Sequence, residues 1–350
     1  MIAVAAAKTS GVVAFSDLSN DILETHILTR LDGPSLASIS SSSSHLHALS
    51  TENRLWTGIC HSTFPSTADS SRLRRLISTF PGGPRSFFSL TCPLLFSDSI
   101  PSNSNSLLPP APALMSELIS AVDIRYRNHL IFSKVQEIET ESNWFRCSPF
   151  RLDMLEPKEG VVTNVQYPKN DDSVCESIME EMRLSWVLIN PNPGLQQAAN
   201  FSSYKPVSVE KHWLSGEIKV RFPSFLAGSS SEMVQCGIVV TCGASEGGEL
   251  QVREVTLQVE DMDGRHLSGK ESLVIVQRAM EGKRGKTVGK EEEGRKRMKV
   301  YEEKKRQRRE RKMRIESTLD MLCVAFGVSL TVLALFWAFS SLVFSCRFIE

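Results

Sequence analysis

The sequence predicts an α+β protein: an N-terminal three-helix unit, a central and mainly antiparallel β domain, a basic helix, and one C-terminal transmembrane helix. Three observations predict this. Apolar residues recur at helical spacing between Leu18 and Leu49. Two-residue alternation marks strands such as "SGEIKVRF". An uncharged apolar run, Met321 to Phe344, lies near the C-terminus. A chain of 350 residues is long enough for two or three units. The segments expected are a disordered lead (1–14), the helical unit (15–62), a helical extension (63–96), a linker (97–113), the β domain (114–282), a basic segment (283–316) and the span (320–345).

The lead "MIAVAAAKTSGVVAF" lacks the basic start of a signal peptide, and Lys8 interrupts its apolar run. In the helical unit, Leu18, Ile22, Leu23, Ile27, Leu28 and Leu31 fall on one broad helical face. Ser19 and Asn20 offer caps, and Asp21 and Glu24 suit the positive helix end. "DGP" at Asp32–Pro34 stops this helix, and Pro34 opens a second one carrying Leu36 and Ile39. Leu46 and Leu49 continue the pattern, and "ENRLW" follows. Three short helices bury little surface alone. Their apolar face closes either on the chain's own core or on a partner.

The extension "SSRLRRLISTFPGGPRSFFSLTCPLLF" reads as a helix, a break and an apolar tail that packs on the helical unit. The Ser/Pro/Asn-rich stretch after it reads as linker. In the β domain, Ile218, Val220 and Phe222 alternate with Lys219 and Arg221, as on a half-buried strand. "LQVREVTLQVE" alternates with a slip between Val252 and Val255, the signature of a bulge. "LSWVLIN" and "CGIVVTC" read as fully buried strands, and "DMDG" as a turn joining two strands rather than a calcium loop.

Net charge is zero but segregated. Between Glu281 and Arg314 there are 16 Lys and Arg against 7 Glu, leaving 24 basic and 33 acidic residues elsewhere. The basic block reads as a solvated helix with pairs such as Glu302–Arg306, and as a juxtamembrane cluster for anionic lipid. "RKRMK" and "KKRQRRERK" also resemble nuclear import signals. Only Tyr301 interleaves, so no nucleic-acid stacking platform is expected. The run from Met321 to Phe344 would be about 36 Å long as a helix, enough for a hydrocarbon core of about 30 Å. With basic residues before it and "CRFIE" after it, a tail anchor with the N-terminal body in the cytosol is expected. The endoplasmic reticulum is the expected membrane, with a nuclear or nuclear-envelope location as the alternative. "NFS" at Asn200 is a glycosylation sequon, useful only in a lumen.

Eight widely spaced cysteines form no C-x-x-C pair, and they read as reduced and mostly buried. No hydrolase, P-loop, zincin or dinucleotide fingerprint occurs, and no cofactor or metal is expected. The nearest approach to a site is the set Trp144, Phe145, Arg146, His212 and Trp213, which lines either a recognition surface or the core.

"LSNDILETHILTRLDGPSLASI" with "LSTENRLW" resembles an F-box. It departs from the common pattern at Ser19, where Pro is usual, in "SSSSHLHAL", and in "ILETHIL", which is one residue longer. "DIRYRNHLIFSKVQEIETESNWFRCSPFRLDML", "PVSVEKHWLSGEIKVRF" and "VREVTLQVEDMDGRHLSGKESLVIVQRAMEG" resemble the C-terminal domain of a plant group of F-box proteins. The resemblance implies a non-catalytic subunit of a cullin–RING ubiquitin ligase that binds a Skp-type adaptor and, through it, a cullin. It implies adaptor contacts at Leu18, Ile22, Leu23, Ile27, Leu28, Leu31, Leu36, Leu55 and Trp56. The β domain would select an unidentified protein substrate, with Trp144, Phe145, His212 and Trp213 as candidate contacts. A membrane-tethered scaffold or adaptor-binding protein without ubiquitination activity is the alternative.

Overall fold

The structure is a computed structural model that describes residues 19–93, 95, 115–156, 158–167, 173–228, 232–282, 284 and 290–346. The lead, Leu18, the linker, most of 283–289 and the last four residues lie outside the described residues. The chain divides into a body ending at Met298 and a second unit beginning at Lys299.

The body starts with short helices. The first stretch is composite: an α turn (α1, Asn20–Ile22), a π turn (Leu23–Ile27) and a 3-10 turn (Leu28–Arg30). Then come α2 (Gly33–Ile39), α3 (Ser44–Ser50), α4 (Asn53–Thr63), α5 (Ser66–Asp69), α6 (Ser71–Ser78) and α7 (Gly83–Thr91). Four of these starts carry sequence signals. Asp32, Ser43 and Ser70 each accept a hydrogen bond from a main-chain N–H three residues on, and Pro34 sits in the first turn of α2. Pro84 likewise opens α7.

Two antiparallel sheets follow. The four-stranded sheet runs β2 (His129–Glu139), β1 (Glu117–Tyr126), β5 (Met182–Asn190), β6 (Gln197–Asn200). The second runs β3 (Arg151–Asp153), β11 (Glu249–Glu260), β10 (Met233–Ala244), β8 (Ile218–Arg221), β7 (Ser208–Lys211), with β4 (Val161–Gln166) on β11 and β9 (Ser224–Ala227) on β10. Three helices interrupt or follow the strands: α8 (Asn143–Cys147), α9 (Val174–Glu181) and α10 (Gly269–Glu281).

The two sheets face each other across one core. Leu118, Val122 and Tyr126 of β1 and Leu184, Trp186 and Leu188 of β5 meet Ile218, Val220, Ile238, Val240 and Leu257. The alternate residues of the same strands, Ile119, Ala121, Val187 and Ile189, point the other way, into a second core shared with the helices. That core holds Leu23, Leu28, Leu36, Trp56, Phe64, Phe87 and Phe88. Hence β5 is buried at nearly every position: both faces are covered, the condition under which strand alternation disappears. β8 has one covered face and alternates buried and exposed residues as its sequence predicts. The expected bulge is also present, since Arg253 is the extra residue between the Cys242–Val252 and Thr241–Glu254 pairs.

Some expectations are corrected. "DMDG" joins a strand to helix α10, not two strands. A capping box starts this helix: Ser268 Oγ accepts from Glu271 N, and Glu271 Oε2 accepts from Ser268 N. Of the seven cysteines described as free, only Cys60, Cys236 and Cys242 are buried, against the expectation of mostly buried thiols. Arg284, which composition groups with the basic segment, belongs to the body. Its guanidinium donates to five carbonyl oxygens, those of Leu90, Ala198, Ala279, Met280 and Gly282.

The long helix α11 (Lys290–Cys346) carries the basic block and the apolar run without a break. Arg306 pairs with Glu303 at 2.7 Å and reaches Glu310 at 3.9 Å, one residue along from the expected Glu302. The helix is long and apolar enough to cross a membrane, and its most apolar window is wholly exposed.

Candidate functional site

The helical unit is the first candidate surface. The side chains of Thr25 and Thr29 donate to the carbonyls of Asp21 and Thr25, four residues back, a habit that loosens a helix. Between them the chain opens into the π turn, where the Leu28 N–H donates to the Leu23 carbonyl, five residues back. A π turn absorbs one extra residue. Leu23 and Leu28, five apart, therefore both reach the core, at 1% and 0% exposure. Ile22 points away and is 43% exposed, while Ile27, Leu31 and Ile39 are half-buried.

The nine residues expected to meet an adaptor thus separate into classes. Leu23, Leu28, Leu36, Leu55 and Trp56 are buried within this chain. Ile22 is exposed, Ile27 and Leu31 are at the margin, and Leu18 lies outside the described residues. Trp56 is fixed from several sides. Its indole N–H donates to the Ser50 carbonyl at 2.7 Å, Phe88 lies 5.6 Å from it, and the Arg85 guanidinium sits 5.7 Å over its ring. Gly33 permits the close packing here, because a Cβ at that position would lie 2.2 Å from the Phe88 ring. α4 and α7 pack on each other, so the extension does cover the inner face of the helical unit.

The second candidate set does not come together. Trp144 is 83% exposed on α8, which packs against α10. Phe145, beside it, turns inward to meet Phe150 edge-on at 5.9 Å. His212 and Trp213 occupy the β7–β8 hairpin, at the opposite edge of the seven-stranded sheet from β3. There Trp213 is 87% exposed and Leu214 74%. His212 Nδ1 accepts from the Ser215 N–H at 3.1 Å, and its ring stacks on Trp213. Core packing is excluded for both tryptophans. Leu214 is the member of this exposed tip that sequence patterning missed, because an apolar residue beside a strand reads as core.

The sequon also changes meaning. Asn200 is 3% exposed, and its Oδ1 accepts from the N–H groups of Trp186 and Ser202. It is a structural bracket between β5 and β6, so the absence of a glycan there would carry no topological information. Asp123 is another buried bracket. It accepts from Ser66 N at 2.8 Å, Ser66 Oγ at 2.6 Å and Ser133 Oγ at 2.8 Å, tying α5 to β1 and β2. Burial pushes its carboxyl above the usual range, and the hydrogen bonds from Ser66 and Ser133 oppose that rise.

No protein-family model matches the chain, and no solved structure matches it. Three F-box proteins of Arabidopsis thaliana are similar over nearly its whole length. One is 42% identical over 339 residues, covering 93% of this chain and 96% of its own. A second, named a probable F-box protein, is 42% identical over 314 residues, with 89% and 90% covered. A third is 41% identical over 339 residues, with 94% and 91% covered.

Proposed function

Because the chain belongs to the F-box protein family of plants, we propose that it is a substrate-recognition subunit of an SCF-type ubiquitin ligase. The helical unit binds a Skp-type adaptor and thereby a cullin. The β body selects a target protein, and the C-terminal run holds the assembly on the cytosolic face of a membrane. The protein makes and breaks no bonds itself; it raises the local concentration of target lysines. The observation that carries this reading is the π turn, which seats Leu23 and Leu28 in the chain's own core while leaving Ile22 outward.

On this reading Ile22, flanked by Ile27 and Leu31, serves as the direct apolar contact. Leu23, Leu28, Leu36, Leu55 and Trp56 hold the platform. The exposed tip Trp213–Leu214 and the isolated Trp144 are the target-facing contacts, since large exposed apolar groups mark interaction surfaces. The basic part of α11 adds attraction to anionic lipid, worth about 1 kcal/mol per basic residue near the surface.

The test is Ile22→Glu in the full-length chain, with adaptor binding measured by co-purification. Adaptor recovery is expected to fall at least tenfold while the circular dichroism is unchanged. Undiminished recovery would refute the assigned contact.

A further inference from the structure

β2 forms one edge of the four-stranded sheet and is 11 residues long, whereas β6 at the other edge has 4. The Thr140 N–H donates to the Ser116 carbonyl, which continues the β1–β2 register by one pair. In an antiparallel ladder, residues that bond inward alternate with residues whose main chain points away. Lys134, Gln136 and Ile138 therefore turn their main chain to β1, while Ser133, Val135, Glu137 and Glu139 turn theirs outward. Among the described residues, β2 pairs only with β1, and these outward N–H and C=O groups meet no main-chain partner.

Sheet edges are ordinarily blunted by short length, by proline, by a bulge or by a free lysine. β2 is long and has no proline, its bulge at Ile131 lies at the turn end, and Lys134 reaches aside to Glu159 at 3.6 Å. Open clefts flank the strand, one along Leu130–Lys134 and one along Glu137–Glu139, so an incoming strand has access. The charges of β2 are also polarised. His129 and Lys134 stand in its first part, Glu137 and Glu139 in its last. A parallel copy of this strand would set like against like, whereas an antiparallel copy sets the acidic end against the other end.

We propose that β2 pairs, antiparallel, with β2 of a second copy of this chain, about a two-fold axis at Val135. In that register Val135 faces its own counterpart, and Ser133 faces the partner's Glu137. Phe132 faces the partner's Ile138, an apolar pair, and Lys134 faces the partner's Gln136. No two acidic residues stand opposite each other, and that self-complementarity favours a second copy over a foreign segment. The outward groups of Ser133, Val135 and Glu137 then bond across the axis, and two four-stranded sheets join into one. The contact is isologous, so it closes at two copies and does not propagate into fibres. The pairing goes beyond the proposed function and does not depend on adaptor binding.

The test uses the full-length chain in neutral detergent, with mass read by light scattering and pairing by cysteine cross-linking. A mass of two chains is expected. Glu137→Pro removes an outward N–H and leaves the β1–β2 ladder intact, so it should give one chain with unchanged circular dichroism. Lys134→Cys chains mixed with Gln136→Cys chains should form a disulfide-linked dimer above the wild-type background. Those two positions would lie about 4.5 Å apart between Cα atoms, within disulfide reach. The cross-link needs no proline variant, so it decides the matter even if Glu137→Pro fails to fold. A wild-type mass of one chain would overturn the proposal, as would a mixture that cross-links no more than wild type. A folded Glu137→Pro chain that stays dimeric would do the same, since the contact would then lie elsewhere. So would slow amide exchange at Val135 and Glu137 in a single chain, which would mean that another segment covers the edge.

Discussion

Arg284 offers the sharpest test of how the body is held together. Its five carbonyl partners come from three places: Leu90 at the end of α7, Ala198 on β6, and Ala279, Met280 and Gly282 at the end of α10. Burial is the cause that lowers its pKa, and the facing groups are carbonyls at a helix C-terminus, where a cation is favoured. Replacing it with Ala takes this donor from all five oxygens, although Ala279 O keeps the Gly282 N–H at 3.3 Å. Water can replace the bond at exposed Gly282, so three matter, at about 1 kcal/mol each. Some relaxation of the α10 end brings the expected loss to about 2–3 kcal/mol. At about 2 °C per kcal/mol for a body of this size, the unfolding midpoint of Arg284→Ala should fall by about 4–6 °C. Arg284→Lys keeps the charge and at most three donors, so about half of that loss is expected. The assay is thermal unfolding of the full-length chain in neutral detergent, followed by tryptophan fluorescence. Faster amide exchange near Leu90 should accompany the shift. A midpoint within 1 °C of wild type for Arg284→Ala would refute the reasoning.

Further outcomes follow from other named contacts. Asp32→Ala removes the cap of α2 and should cost about 1 kcal/mol at neutral pH. The Ser35 side-chain and main-chain hydrogen bonds lower the Asp32 pKa, so its stabilisation exists above the unfolded value of 3.8 and fades as pH falls through and below it. Denaturation of wild type and variant should therefore converge in acid, and a constant gap would contradict the cap. Gly33→Ala drives a methyl into the Phe88 ring and should lower stability by about 1–3 kcal/mol, measured by denaturant titration. Trp213→Ala with Leu214→Ala should shift stability by no more than about 0.5 kcal/mol while reducing capture of target protein in proximity labelling. Truncation before Met321 should move the chain from the membrane to the soluble fraction on cell fractionation.

Local chemistry made much of this fold legible in the sequence. The helix break at Asp32–Pro34, the alternation in β8 and the slip in β11 each have a physical cause confined to a few neighbours, whereas Ser19, expected as a cap, makes no side-chain cap bond. "DMDG" reads as a turn between strands because the signal for the helix after it, the capping box from Ser268 to Glu271, is short. What stayed hidden depends on distant partners. The extra residue in "ILETHIL" looks like a defect until the π turn shows Leu23 and Leu28 reaching one core. Patterning leaves Trp144 and Trp213 open between recognition surface and core, and only hairpin and helix geometry put them, with Leu214, outside. Arg284 is one cation among many in a basic run, and only the meeting of α7, β6 and α10 around it distinguishes it.

The apolar layer shared by helices and sheet bears on reach. A receptor whose grip and target surface hang on a flexible tether sweeps a volume, and nearly any lysine within it can be modified. Here Ile119, Ala121, Val187 and Ile189 fasten the helical unit directly to the sheet, so the two travel as one piece. On the proposed function, a target docked on the β body is offered to the ligase along a fixed bearing. Two proteins gripped with equal strength would then meet different fates, according to whether a lysine falls on that line.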